Sequence, residues 1–298
     1  MIKQNQQVIT KEFHNMDVVI EPEYQVAWAR LKYTGRPCMT KALLEEVEEA
    51  QRMISGRARS SYEQGVESRL MYQVLCSDVP GVFNLGGDLA HFIDLIRAGD
   101  RMALFDYAKS CVDVLYKSAT SYDLPFTTIA LVQGEALGGG FEAALSANVM
   151  IAERSARFGF PETVFGLFPG MGAFSFLARR IAPALAKRVI ASGKVYTAEE
   201  LYDMGVVDVL VPDGQGEDAV YEFIHHQRNR SSGFQALDRV IEQFNPLSYK
   251  ELLDVVTVWV DTAMHLSEKN IRLMQYLVRA QEKRWEKPNV VELHSMAG

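Results

Sequence analysis

Basic excess, paired cysteines and long apolar runs are all missing from this chain, and each absence removes a class of function. Lys and Arg number 31 against 38 Asp and Glu, for a formal charge of −7. With no surplus of cations to neutralise a phosphate backbone, a general nucleic-acid binder is excluded. The three cysteines, Cys38, Cys76 and Cys111, are widely spaced and odd in number. They form neither a disulfide framework nor a Cys-x-x-Cys metal pattern, and they fit the reduced thiols of a cytoplasmic protein. No run approaches the roughly eighteen apolar residues of a membrane span, and Met1-Ile-Lys-Gln-Asn-Gln-Gln-Val lacks an apolar leader core. Neither a membrane span nor secretion is expected.

Several catalytic signatures are absent too. There is no Gly-x-Ser-x-Gly nucleophile elbow, no His-Glu-x-x-His and no phosphate-binding P-loop. The six histidines are scattered, and the adjacent pair His225-His226 on a helical stretch points in two directions, so no metal ligand is assigned.

What is present is enough apolar material, 48% of 298 residues, for one large domain or a domain with an appendage. Strand-like segments at Val18–Ile20 and Tyr24–Tyr33 precede a helical pattern from Lys41 to Ile54, with Thr40 placed as its N-cap. Antiparallel pairing is expected at the start. Apolar runs at Leu70–Leu75, Thr127–Val132 and Val149–Ala152 then alternate with helical stripes, one through Leu89, Phe92, Ile93 and Ile96 and one through Phe105, Ala108, Val112 and Leu115. The stretch Arg228-Asn-Arg-Ser-Ser-Gly233 is the best linker, and beyond it Leu252, Val256, Trp259, Ala263, Ile271, Met274 and Val278 mark amphipathic helices.

Two of the strand-to-helix junctions carry glycines, Gly86-Gly87-Asp88 and Gly138-Gly139-Gly140. Without a Cβ, such a loop lets main-chain N–H groups approach a bound oxygen and stabilise developing negative charge. Glu142 follows the second run within the first helical turn, and Glu162 stands twenty residues later in Phe160-Pro161-Glu162. Two close carboxylates seldom ionise together, so one can accept a proton while the other donates, which suits an enolate-type reaction. Each glutamate also has a plainer role open to it: Glu142 can complement a helix dipole, and Glu162 can be a solvated turn residue. A nicotinamide-binding fingerprint competes as well, since Gly138-Gly-Gly140-Phe-Glu-Ala143 satisfies Gly-x-Gly-x-x-Ala. Against it, Glu135–Leu137 separate the strand from the glycines and Glu142 would face a pyrophosphate.

Taken together, four segments resemble the crotonase (enoyl-CoA hydratase/isomerase) superfamily, and they do so in order over about residues 18 to 215. They are Gly81-Val-Phe-Asn-Leu-Gly-Gly-Asp, Gln133-Gly-Glu-Ala-Leu-Gly-Gly-Gly-Phe-Glu, Phe158-Gly-Phe-Pro-Glu-Thr-Val-Phe-Gly-Leu-Phe-Pro-Gly-Met-Gly, and Ser192-Gly-Lys-Val-Tyr-Thr-Ala-Glu-Glu-Leu. Within it, Val82-Phe-Asn-Leu-Gly-Gly-Asp-Leu-Ala, Leu167-Phe-Pro-Gly-Met-Gly-Ala and Trp259-Val-Asp-Thr-Ala-Met are most similar to the diffusible signal factor synthases.

The resemblance implies an α/β fold, a spiral of ββα units over residues 1–227 with a C-terminal helical region at 228–298 that assembles trimers or hexamers and covers the active site. It implies an oxyanion hole at the N–H groups of Gly87 and Gly139, and catalytic carboxylates at Glu142 and Glu162. The implied reaction dehydrates a 3-hydroxyacyl thioester to a cis-2-enoyl thioester and hydrolyses it to the free acid. No cofactor is needed: the acyl group rides on the phosphopantetheine of acyl carrier protein, or on CoA. Met171, Trp259, Met264 and Leu277 are candidates for an apolar substrate tunnel, and Arg179, Arg180, Lys187, Arg188 and Lys194 for docking an acidic carrier protein. Two other functions stay in view: a hydratase or isomerase without thioester hydrolysis, and a binding partner of a sensor histidine kinase.

Overall fold

The computed structural model describes residues 8–65, 69–228 and 243–286, with single positions 233 and 240 between the last two stretches. The chain begins with three antiparallel strands, β1 (Ile9–Glu12), β2 (Met16–Glu21) and β3 (Val26–Leu31). β2 alternates buried and half-buried side chains, the two-residue period of a strand with one face on a core. The expected strand Tyr24–Tyr33 is shortened because a turn over residues 22–25 ends with Gln25 at a φ of 58°. Helix α1 (Lys41–Glu63) follows, and the Thr40 hydroxyl accepts the Leu43 N–H at 3.2 Å, as the cap requires. It runs past Ile54 because Gly56 is followed by good helix formers, Arg57, Ala58 and Arg59.

From there each unit adds one strand to each of two sheets and then returns through helix. The first is β4 (Tyr72–Ser77), β5 (Gly81–Asn84), α2 (Leu89–Ala98) and α3 (Arg101–Ala119). The second is β6 (Thr127–Val132), β7 (Gly134–Leu137) and α4 (Gly139–Leu145). The third is β8 (Val149–Glu153), β9 (Arg157–Gly159), α5 (Ala173–Arg180) and α6 (Pro183–Ala191). The spiral ends with β10 (Val195–Thr197), α7 (Ala198–Asp203), β11 (Val209–Val211) and α8 (Gly216–Arg228). The leading strands pair in parallel in the order β3-β4-β6-β8-β11, extended by β2 and β1 to seven strands. The trailing strands make a second sheet, β10-β9-β7-β5. Residues 135–137, which looked like a connection on the way to the glycines, are thus a strand of their own, because the chain changes sheets at Gln133.

Both faces of the larger sheet are covered, which is why β6 is apolar almost throughout. On one side Trp28, Val74, Ile129 and Ile151 pack under Val220 and Ile224 of α8. On the other lies the main core, which takes in α1 to α5 and the tail. Among the described residues the tail includes α9 (Tyr249–Ala263) and α10 (Glu268–Glu286). Leu252, Val256, Trp259, Val260 and Ala263 form the buried stripe of α9, which packs on α3, while α10 packs on α2. Residues 229–232 of the expected linker lie outside those described. Among the described residues no helix is long and apolar enough to cross a membrane.

Candidate active site

Glu142 owes its position to a junction the sequence dictates. Gly138 sits at a φ of 50°, in the left-handed region, and a Cβ there would come within 2.3 Å of Glu162 Oε1. Only glycine therefore turns the chain from β7 into α4 while leaving space for the second carboxylate. One helical turn on, Glu142 is 1% exposed. Its Oε1 accepts the N–H groups of Met171 at 2.8 Å and Ala173 at 3.0 Å, the latter the first residue of α5. Its Oε2 is buried with no partner.

Glu162 comes from a short 3-10 turn, Pro161–Phe165, which ends at Gly166 in the left-handed region. The residue is half-buried, yet its Oε2 is enclosed and likewise without a partner. Both glutamates line one largely apolar pocket, which is also lined by Gly87 and Gly139. A Cβ on Gly139 would lie 3.4 Å from the Gly87 nitrogen, so the two amides border the same space. Neighbouring donors are spent elsewhere: Gly138 N–H on Gly159 O at 2.8 Å, and Gly86 N–H on Asn84 Oδ1 at 2.8 Å.

That first loop is fixed by buried polar side chains which sequence reasoning missed. Asn84 is fully buried and its Nδ2 donates to Tyr33 Oη at 2.9 Å, while Tyr33 Oη–H donates to Phe83 O at 2.6 Å. Tyr107 Oη–H donates to Met39 O and accepts the Asp88 N–H. Asp88 in turn caps α2 through His91 N–H and pairs with Arg36 at 2.9 Å. A lone buried Asn two residues before a Gly-Gly pair was the signal available for this lock.

Burial raises both carboxyls. Loss of solvation pushes Glu142 up to about 7, against the pull of the Ala173 and Met171 amides. Glu162 is pushed up to about 8, first by burial and then by the negative charge of Glu142. At neutral pH the pair therefore shares about one proton, and the amides at Glu142 place it on Glu162. This arrangement can exchange protons on both sides of a bond while two glycine amides hold an adjacent oxyanion.

Other expected residues divide. Met171 and Trp259 line the pocket, and the Trp259 ring meets Phe92 edge-on at 5.2 Å. Leu277 lines an outer cleft that shares Gly87, Gly138 and Glu162. Met264, just beyond α9, packs half-buried against the core and is not in the pocket wall. The five expected docking cations do not act as one group. Arg179 grips both carboxylate oxygens of Glu251 at 2.9 and 2.8 Å and also bonds Pro246 O, tying α5 to the tail. Arg180 bonds Asp208 and Ala147 O, and Lys194 pairs with Glu200. Only Lys187 and Arg188, on α6, are exposed without such a bond among the described residues. Phe92 and Leu115, expected only as parts of helical stripes, Cys111, expected only as a reduced thiol, and Met39 also line the pocket. Among the described residues no cluster of three or more His, Cys, Asp or Glu could hold a metal ion.

Comparison with known proteins adds a family. Residues 65–284 match the family model described as enoyl-CoA hydratase/isomerase. The mitochondrial methylglutaconyl-CoA hydratase of Rattus norvegicus is 33% identical over 159 residues, covering 50% of this chain and 45% of that protein. The chain thus matches about half the length of such curated relatives. Among solved structures, an enoyl-CoA hydratase from Bacillus halodurans superposes with a TM-score of 0.68 at 20% identity, covering 90% of this chain and 98% of that one. One from Mycobacterium avium subsp. paratuberculosis K-10 gives 0.68 at 18%, covering 90% and 97%. At that identity these two show a shared fold and nothing further: the ββα spiral closed by C-terminal helices.

Proposed function

The chain belongs to the enoyl-CoA hydratase/isomerase family, and from that premise we propose that it adds or removes water across C2 and C3 of an acyl thioester. One observation carries the reading: two enclosed carboxyls, each with an oxygen lacking a partner, share a pocket with the Gly87 and Gly139 amides. The thioester carbonyl accepts those two N–H groups, which stabilises the enolate formed when a C2 proton leaves. Glu142, the group that ionises first, takes that proton. The electron pair becomes the C2–C3 double bond, and the C3 hydroxyl departs as water with the proton of Glu162. The bare oxygens of both groups are thereby used.

The finer reading is synthesis of a cis-2-unsaturated fatty acid signal from a 3-hydroxyacyl group on acyl carrier protein. Support for it is the similarity of three segments to the diffusible signal factor synthases and the apolar lining of the pocket. Hydrolysis then needs no serine nucleophile: once Glu142 has released the C2 proton to solvent, its carboxylate takes a proton from water as the oxygen bonds the thioester carbon. The tetrahedral oxyanion rests on Gly87 and Gly139, and on collapse the C–S bond breaks and the sulfur leaves as thiol with the proton from Glu142. Lys187 and Arg188 are the exposed cations that an acidic carrier could meet, and α9 and α10 are the surfaces for a trimer.

Mass spectrometry of products from 3-hydroxyacyl carrier protein and 3-hydroxyacyl-CoA tests both levels. Wild type should release free cis-2-enoic acid, and Glu142→Ala and Glu162→Ala should not. An enoyl product that stays on its carrier would reduce the function to dehydration alone. No turnover of either thioester would overturn the catalytic reading and leave a binding role, such as partner of a sensor kinase.

A further inference from the structure

A second chamber lies behind the catalytic pocket, where α1, α3 and α4 pack against β2, β3, β4 and β6. It is walled mostly by apolar side chains, with Gln51, Gln73, Ser118, Thr128 and Ser146 supplying the polar part of the lining. The two spaces are neighbours with a common wall: Met39, Leu44, Val114 and Leu115 line both. α4 separates them, with Glu142 on the catalytic side and Ala143, Ser146 and Ala147 on the other.

Two helices give the chamber direction and length. Along α1 the lining passes from Leu44 to Val47 and then Gln51, and along α3 from Cys111 in the catalytic pocket through Leu115 to Ser118. Seven residues span roughly 10 Å of helix, so the second space extends the first by about that much. The end at Gln51 is polar. Gln51 is 5% exposed, its Nε2 donates to Val114 O at 2.9 Å, and its Oε1 has no partner. Beside it Gln73, 6% exposed, accepts the Tyr122 hydroxyl at 2.6 Å.

The reading rests on the acyl-thioester function proposed above. We infer that the chamber is the binding site for the distal part of a long acyl chain, which enters between Met39, Leu44, Val114 and Leu115 and is stopped at Gln51. A space with so apolar a lining gains by exchanging water for hydrocarbon. Hydrocarbon laid against the Gln51 amide gains no such exchange, because this side chain is polar, already buried and held by Val114 O, so the wall it forms fixes the upper chain length.

Calorimetric binding of butyryl, dodecanoyl and hexadecanoyl pantetheine thioesters to the full chain tests this. Wild type should bind the dodecanoyl thioester at least about tenfold more tightly than the butyryl one. Val47→Phe fills the chamber from a half-buried position that tolerates bulk, and should weaken dodecanoyl binding about tenfold while leaving butyryl binding unchanged. Gln51→Leu should improve the hexadecanoyl thioester relative to the dodecanoyl one. Equal weakening of short and long chains by Val47→Phe, or no chain-length preference in wild type, overturns the chamber as the acyl site while butyryl binding keeps the thioester reading alive. Binding of none of the three overturns both.

Discussion

Glu142 and Glu162 are the same residue type in the same pocket, and their surroundings make them different groups. Glu142 stands in the first turn of α4 with one oxygen bonded by two amides where α5 begins. Glu162 stands on a 3-10 turn, and the only backbone amide lowering its carboxyl is its own. Both lose solvation, yet only Glu162 is pushed further up by the charge of its neighbour. In the proposed mechanism, what separates base from acid is therefore which backbone N–H groups reach each carboxylate.

The hardest test removes each proton carrier without removing its shape. Glu142→Gln and Glu162→Gln should each lower kcat/KM for dehydration by about 10² to 10⁴, the usual worth of a positioned acid or base. The pH profile of wild type sharpens the comparison. Activity should rise as Glu142 ionises through about 7 and fall as Glu162 loses its proton through about 8, giving a narrow bell. A rate that climbs steadily to pH 10 would mean that no protonated carboxyl is required, and the division of roles would be gone.

A subtler change attacks the difference itself. Ala173 is the first residue of α5, where proline is tolerated because its N–H has no partner within the helix. That N–H is one of the two donors to Glu142. Ala173→Pro deletes that donor at a fully buried position, so circular dichroism must first show the fold retained. It should then raise the carboxyl of Glu142 towards that of Glu162 and move the acid limb of the profile upward, with a loss of about tenfold in rate near pH 7. An unshifted acid limb would show that the Met171 amide alone sets Glu142.

These two surroundings were not equally visible beforehand. The glycine run and Glu142 within one turn of it are local in sequence, and so was the capping of α1 by Thr40. The chemistry of Glu162 depends on partners far along the chain: Gly138, whose missing Cβ makes room for it, and Glu142. The anchor at Met171 and Ala173 lies about thirty residues from Glu142, and no periodic pattern encodes a carboxylate meeting a helix start. β7 escaped notice because four residues make too short a strand to show a period. The docking cations illustrate the opposite error. Arg179 and Arg180 are neighbours of Lys187 in sequence, but one clamps the tail and the other bonds Asp208. Clustering in sequence measured charge and could not reveal which cations the fold consumes.

The smallest effect expected is on stability, and its sign follows from the direction of both shifts. In the unfolded chain the two carboxyls ionise near the ordinary 4.5, whereas in the fold they keep their protons to about 7 and about 8. Between those limits the native state binds more protons, so stability falls as pH rises from about 5 to above 8. Below that window both groups are neutral in either state and contribute no penalty. The lowered carboxyls of Glu200 and Glu251 have the opposite sign, but they finish titrating below the window and are common to every variant. Thermal midpoints should therefore match for wild type and Glu162→Gln at the acid end, and the variant should melt a few degrees higher at pH 8.5. Glu142→Gln should gain less, because it also gives up the charge that its two amides hold. Parallel curves for the three proteins across the window would show that neither carboxyl is raised in the fold, and the contrast between the two glutamates would then have to rest on geometry alone.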